Sequence, residues 1–470
     1  MSFEILEKAF LKYGSYREPN LDSVWTTHSD ILPVIERLAE NRKVSVINSG
    51  ASIEGRSIFR IKIGNGKTRI LLWSQMHGNE STATRAIFDL INFLTADDDL
   101  NEYKNTLLNS LELHFVPMLN PDGAERFIRE NAINIDLNRD ALSFQTPEAQ
   151  ILQKIKDDLE PEFCFNMHDQ NRYYSAGRKD FSPVLSFLAP PSGYNDPVND
   201  ARQKAMQIIV HLKNILDKYI PNQVAKYSDD HEPRSFGDNF NRQQSAVILV
   251  ESGYLINDPD KEKIREYNFI SLLSAFDTIT SKSYIKNKIE DYYKIEENKE
   301  GYFFDLLLKG AIVSRNGNEY KIDIGINRRE FPTGTIRKLY VKGIIEGLGD
   351  LSTYSAHEII DCTRLTACEG RILPDSINTL EGINKLDLAR HLSDGYTTVS
   401  CKKCASNEEY CYLPVNIIQR EYIATHEIRT GFPANIYLQN ENGVKYLIVN
   451  GFLIQKPFNI NLIRNGLIFR

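Results

Sequence analysis

The chain is 470 residues long, 41% hydrophobic and 25% charged, with a formal net charge of −7. Such a length holds two or three domains, each able to bury a core, and the ordinary composition excludes a disordered or fibrous chain. The acidic balance speaks against a nucleic-acid partner, and no apolar run approaches the length that spans a membrane.

The opening residues, MSFEILEKAFLKYGSY, lack a basic segment followed by an apolar one, so no secretory signal is read and a cytoplasmic location is expected. In that setting the six cysteines, at 164, 362, 368, 401, 404 and 411, are expected as reduced thiols. Residues 1–42 read as helical, with Ile31, Val34, Ile35 and Leu38 on one face. Two β-prone runs follow at 44–47 and 58–63, joined by a glycine-containing turn. The run Ile70-Leu71-Leu72-Trp73 then suits a buried strand over 69–75, and Ala83, Ile87, Leu90, Ile91 and Leu94 recur at helical spacing over 80–94. His77 and Glu80 therefore stand between the carboxyl end of a strand and the start of a helix, where open α/β sheets bind ligands.

His-x-x-Glu is a weak motif by itself, since a surface histidine beside a helix-start glutamate gives the same letters. Support comes from further along. A run over 111–119 ends in the turn signal Asn120-Pro121-Asp122-Gly123. The segment 124–140, AERFIRENAINIDLNRD, is too charged for a core. After a helix at 147–159, the apolar run 163–167 leads straight into His168; after a helix at 199–219 and a polar loop at 227–245, the run 246–250 leads straight into Glu251. Three strand ends and Asn120 then share one rim of one sheet. Two histidines and a glutamate with one short and one long spacer match a catalytic zinc site that keeps an open position for water.

With these residues in place, residues 20 to about 285 resemble the zinc carboxypeptidase family, the metallocarboxypeptidases of the carboxypeptidase A type. His77-Gly78-Asn79-Glu80 looks like the first two zinc ligands and His168 like the third; the segments NPDG at 120–123 and IDLNR at 135–139 are family landmarks. The resemblance makes Arg129 the arginine that polarises the scissile carbonyl, and Asn138 and Arg139 the pair that holds the substrate's terminal carboxylate. It makes Asp136 the acid that orients His77, and Glu251 the general base. Tyr227 is the residue nearest the place of the tyrosine that closes over the substrate. The loop 228–245 should build the specificity pocket. It leaves open an acidic substrate side chain paired with Arg234, or a polar or basic one paired with an aspartate. The chemistry suits these residue types, because a planar guanidinium grips a carboxylate in two places and a carboxylate can relay protons beside zinc.

The resemblance implies a mixed, mostly parallel sheet flanked by helices, one catalytic Zn2+ ion, and glutamate-assisted attack of water on the C-terminal amide bond of peptides with a free terminal carboxylate. Three alternatives stand beside it: a zinc deacylase of small N-acyl amino acids, of the aspartoacylase type, a catalytically silent binding module, and a non-peptidase binding role in the C-terminal half. Oligomeric state is not readable.

The expected domains are a catalytic domain over 1–285, a charged helical linker over 286–301 and a β-rich accessory domain over 302–470. Short runs at 304–308, 320–324, 339–341, 446–450 and 467–469, with turns at Asn316-Gly317 and Asn442-Gly443, carry the last expectation. The stretches 304–313, 358–375 and 444–454 resemble the β-sandwich that flanks amidohydrolase barrels. Cys401-x-x-Cys404, with Cys411, Cys362 and Cys368, sets a structural zinc against plain thiols, although the second pair is wrongly spaced for a zinc ribbon.

Overall fold

Apolar alternation along the central strands decides which face of the sheet each side chain joins. The computed structural model describes residues 3–177, 181–194, 196–333, 337–403, 409–419, 426–457 and 465–469. It divides into two units, Met1–Gly177 with Ser182–Lys299, and Arg178–Phe181 with Glu300–Arg470. Among the described residues, no helix is long and apolar enough to cross a membrane.

In chain order the first unit contains α1 (Phe3–Leu11), α2 (His28–Ala39), β1 (Val44–Ala51), β2 (Ser57–Ile63), β3 (Thr68–Trp73), α3 (Thr82–Thr95), α4 (Asn101–Ser110) and β4 (Leu111–Val116). There follow α5 (Pro121–Arg126), α6 (Pro147–Leu159), β5 (Phe163–Asp169), β6 (Tyr174–Ala176), β7 (Leu185–Leu188), α7 (Asp200–Leu216), β8 (Val224–Lys226), α8 (Phe236–Arg242), β9 (Ala246–Ser252) and α9 (Glu262–Ser281). An eight-stranded sheet takes the order β1-β2-β4-β3-β5-β9-β7-β8. Its centre, β4-β3-β5-β9, is parallel, while β1-β2, β2-β4 and β9-β7 are antiparallel. This is the mixed, mostly parallel sheet expected from the sequence.

Successive side chains of a strand face opposite ways. Ile70 and Leu72, Phe163, Phe165 and Met167, and Ile248 and Val250 enter the larger core with residues of α3, α7 and α9. Leu71 and Trp73, Cys164 and Val247 enter a second core with residues of α6 and α8. Counting on in twos puts His168 and Glu251 on that second face, at its carboxyl rim.

Three local expectations give way to more specific structure. The first 42 residues are not one helix: α1 is followed by a turn, and the chain has no regular structure from Arg17 until the Asp30 carboxylate accepts from the Thr27 amide at 2.9 Å and starts α2. Asn120-Pro121-Asp122-Gly123 is the start of α5 rather than a bare turn. Asn120 Oδ1 caps it by accepting from the Gly123 amide at 2.9 Å, and Pro121 occupies a position that needs no N–H. The polar loop 227–245 contains α8, capped by the Ser235 hydroxyl, which accepts from the Asp238 amide at 3.2 Å.

The second unit is β-rich, as expected. Strands Phe303–Arg315, Asn318–Pro332 and Leu339–Gly349 pair antiparallel, and Asn316 and Gly317 turn the first hairpin at positive φ of 53° and 80°. Strands Ile436–Asn440, Gly443–Val449 and Phe452–Gln455 complete that sheet. A second sheet is built on the parallel strands Arg371–Ile377, Tyr396–Cys401 and Asn416–Gln419. The cysteine expectation needs correction here. Cys164, Cys362, Cys368 and Cys411 are free, but Cys401 is disulfide-bonded, and Cys404 lies outside the described residues. Burial pushes the Cys362 and Cys411 thiols up to about 12, which disfavours the thiolate that a zinc site needs.

Candidate metal centre and active site

The segment after β3 brings His77 to the rim because its backbone packs against α5 without side chains between. A Cβ on Gly78 would meet the Gly123 carbonyl carbon at 2.0 Å, so the glycines of the two motifs require one another. The Asn120 side chain fastens the junction, donating to Met76 O at 3.1 Å, Arg129 O at 3.3 Å and Glu130 O at 3.2 Å. Asp122 ties α5 to the β1–β2 turn by accepting from the Ser52 hydroxyl at 2.7 Å and the Glu54 amide at 3.0 Å. Gly78→Ala forces these backbones apart and is expected to cost about 3 kcal/mol or more, read as a lowered denaturation midpoint.

One ligand atom each from His77, Glu80 and His168 lies within 4.8 Å of the others, and all three residues are buried. His77 Nδ1 is 2.8 Å from Glu80 Oε1, His168 Nδ1 is 2.9 Å from Glu80 Oε2, and the two Nδ1 atoms are 3.2 Å apart. His77 Nε2 faces Asp136 Oδ1 at 3.0 Å, which keeps the proton on that nitrogen and turns the Nδ1 lone pair inward. Arg129 Nη1 donates to the same Nδ1 at 3.0 Å, as that tautomer requires. Two inward imidazole nitrogens and a carboxylate are the donor set of a tetrahedral metal site with one open position. Among the described residues this is the one such cluster.

Glu251 is register-paired with His168 across β5 and β9. Burial raises its pKa well above the usual carboxylate range, and the Glu80 and Asp169 carboxylates add to this against Arg129 and Lys261. Burial would raise Glu80 too, but the charges and hydrogen bonds of the two histidines hold it well below the usual range. Two neighbouring carboxylates are thereby driven apart in basicity, an arrangement typical of acid–base sites. His77 is raised, burial being outweighed by Glu80 and Asp136, while burial lowers His168.

Arg129 spans the centre. Its Nε and Nη2 donate to Asp136 Oδ2 at 3.1 and 3.0 Å, and its Nη1 reaches Glu80 Oε1 at 3.2 Å. Asn138 accepts the Phe236 amide at 3.1 Å through Oδ1, and Arg139 Nη1 donates to Asn138 O at 2.8 Å. Tyr227 stands apart. Its amide donates to Phe187 O at 2.9 Å, and the register of β8, β7 and β9 sets Ala225, not Tyr227, level with Glu251. Two residues of strand amount to roughly 7 Å away from the rim. Its hydroxyl lies 3.3 Å from that of Tyr174. The structure thus sets the Tyr227 hydroxyl beside Tyr174 and its backbone off the level of Glu251.

Three residues that sequence reasoning passed over, Thr82, Asp169 and Lys261, brace the centre. Thr82 and Lys261 donate to Asp169 Oδ2 at 2.6 and 3.2 Å, and the Asp169 amide donates to Glu80 Oε2 at 3.2 Å. Thr82 carries a signal in its place at the first position of α3, whereas nothing around Lys261 announces a partner so distant in sequence.

A mixed α/β sheet with two histidines and a glutamate converging at its rim defines a candidate metal-site protein. Residues 31–189 match the family model for zinc carboxypeptidases, Peptidase M14. Carboxypeptidase 2 of Trichophyton rubrum is 29% identical over 122 residues, 26% of this chain and 21% of the relative. Carboxypeptidase E of Caenorhabditis elegans is 29% identical over 158 residues, 28% of this chain and 33% of the relative. An uncharacterized protein of Zymomonas mobilis is 26% identical over 209 residues, 44% and 50% of the two chains. The chain thus spans between a fifth and a half of the length of these curated relatives. Among solved structures, a metallo-carboxypeptidase from Burkholderia cenocepacia aligns at 15% identity with a TM-score of 0.45, over 54% of this chain and 69% of that one.

Proposed function

We propose that the first unit is a zinc-dependent carboxypeptidase that releases the C-terminal residue of peptides. The observation that carries the reading is the convergence of His77 Nδ1, Glu80 and His168 Nδ1 beside a register-paired, buried Glu251. His77, Glu80 and His168 would hold a zinc ion, which when bound would supply Lewis acidity toward an attacking water. Glu251 takes the proton from the attacking water and delivers it to the leaving amine. Arg129, which does not titrate at working pH, offers donors to the oxyanion that develops on the scissile carbonyl. Asn138 and Arg139 hold the terminal carboxylate and so restrict cleavage to chain ends.

Metal content and hydrolysis of a panel of N-blocked dipeptides ending in acidic, basic and apolar residues test this directly. One zinc per chain and release of the terminal residue are expected. Zinc without cleavage of any dipeptide, together with release of an acyl group from N-acyl amino acids, would instead favour the deacylase. Asp136→Ala is expected to weaken zinc binding roughly 10- to 100-fold, measured by competition with a chromogenic chelator.

A further inference from the structure

The loop before α8 raises a question that its composition leaves open: what its charges are for. Arg234 does not extend toward the site alone. Its Nε and Nη2 donate to the Glu232 carboxylate at 2.9 and 2.8 Å, and its amide donates to Glu232 Oε1 at 3.1 Å. The other oxygen of Glu232 also lies 3.2 Å from Arg139 Nε. One carboxylate therefore sits between two guanidiniums. Arg234, first and foremost, with Arg139 adding, holds Glu232 down to about 2.

The loop is fixed to the segment it serves. Asp238 accepts from His231 Nδ1 at 2.7 Å, the Glu232 amide at 3.2 Å and the Ser235 hydroxyl at 2.6 Å, so it is consumed inside the loop. The Ala141 amide donates to Arg234 O at 3.1 Å, and the Phe236 amide to Asn138 Oδ1. Asp238 is not left to pair with a substrate side chain, and Arg234 is already paired with Glu232 through two of its five side-chain N–H groups.

What remains is a geometry around Arg139. Its Nε is engaged by Glu232 and one Nη1 hydrogen by Asn138 O, leaving Nη2 and the rest of Nη1 for an incoming carboxylate. A half-exposed arginine held beforehand loses less freedom when its ligand arrives. The charge count matters as much. Glu232 alone would neutralise Arg139, whereas two guanidiniums on one carboxylate keep the group net positive toward a second anion.

We infer that Glu232 and Arg234 are positioning residues for Arg139, which orient its free edge toward the substrate's terminal carboxylate, and that they do not select the substrate's side chain. The inference rests on the carboxypeptidase reading of Arg139. Its test is KM and kcat of the zinc enzyme and of Glu232→Gln, Arg234→Gln and Arg139→Ala, on N-blocked dipeptides ending in Asp, Lys and Phe. Both Glu232 and Arg234 side chains are partly exposed, at 28% and 56%, so the variants should fold. Glu232→Gln and Arg234→Gln are expected to raise KM roughly three- to fivefold, equally for all three peptides and with kcat unchanged. A rise confined to the Asp-ending peptide in Arg234→Gln would make Arg234 a side-chain reader and overturn the inference. An unchanged KM in both, with Arg139→Ala raising it, would overturn it while leaving the carboxypeptidase intact. If no peptide is cleaved, or Arg139→Ala leaves KM unchanged, the parent reading fails. The inference is then judged by NMR titration with N-acetylglycine, following arginine Nε–H resonances. Weaker binding to Arg234→Gln than to the parent supports it, and equal binding overturns it.

Discussion

Glu251→Gln is expected to reduce peptide turnover roughly 10³-fold, to leave zinc content at the parent level and not to lower the denaturation midpoint. The three parts have separate causes. Glutamine keeps the shape but cannot accept and return a proton, so the chemical step loses its base. The ligand atoms belong to His77, Glu80 and His168, none of which the substitution touches. Stability is retained because the native carboxylate is the costly state: burial comes first, then the neighbouring Glu80 and Asp169, all opposing ionisation of Glu251. A neutral amide removes that opposition in the metal-free protein, in line with the tendency of active sites to hold groups that the fold would rather not ionise. Zinc content by atomic absorption, dipeptide turnover and a thermal melt check the three parts. Substantial turnover in the variant would remove Glu251 from the mechanism.

The centre is legible in sequence where strand periodicity does the placing. His168 and Glu251 follow apolar runs whose alternation fixes their face, and the parallel pairing of β5 with β9 sets them side by side. His77 and Glu80 are legible for a similar reason, since Trp73 ends β3 and the helical spacing begins shortly after. Legibility fails where a polar group's role depends on distant partners. Asn120 reads as a turn residue, yet its amide joins Met76 to Arg129 and Glu130. Glu232 reads as one acid among several until the loop folds onto 138–141. The strands Leu185–Leu188 and Val224–Lys226 are too short to show a period, so the far edge of the sheet, and with it the level of Tyr227, cannot be read in advance.

The break in the N-terminal helix has the same origin, and it sets the largest expected change in stability. Asp89 on α3 and Arg265 on α9 form an ion pair with neither side chain exposed, Arg265 Nε to Oδ2 at 2.7 Å and Nη2 to Oδ1 at 2.5 Å. The pair is completed by the lead-in segment: the Tyr13 hydroxyl and the Glu18 amide each donate to Asp89 at 2.7 Å, and Arg265 donates to Glu18 O and Leu21 O. The Glu18 amide and carbonyl and the Leu21 carbonyl serve this buried charge pair instead of a helical ladder. Asp89→Ala leaves the buried guanidinium only its long contact to Glu262 at 3.4 Å as a charge partner and is expected to cost about 3–5 kcal/mol. Replacing both partners by apolar residues, Asp89→Leu with Arg265→Met, should cost less than Asp89→Ala alone, since no charge is then left unpaired. Both tryptophans, Trp25 and Trp73, are buried in the first unit, so urea denaturation followed by tryptophan fluorescence reads this unit without the second. A loss below about 1 kcal/mol for Asp89→Ala would mean that water reaches Arg265, and that the lead-in segment is held by its apolar contacts rather than by the pair.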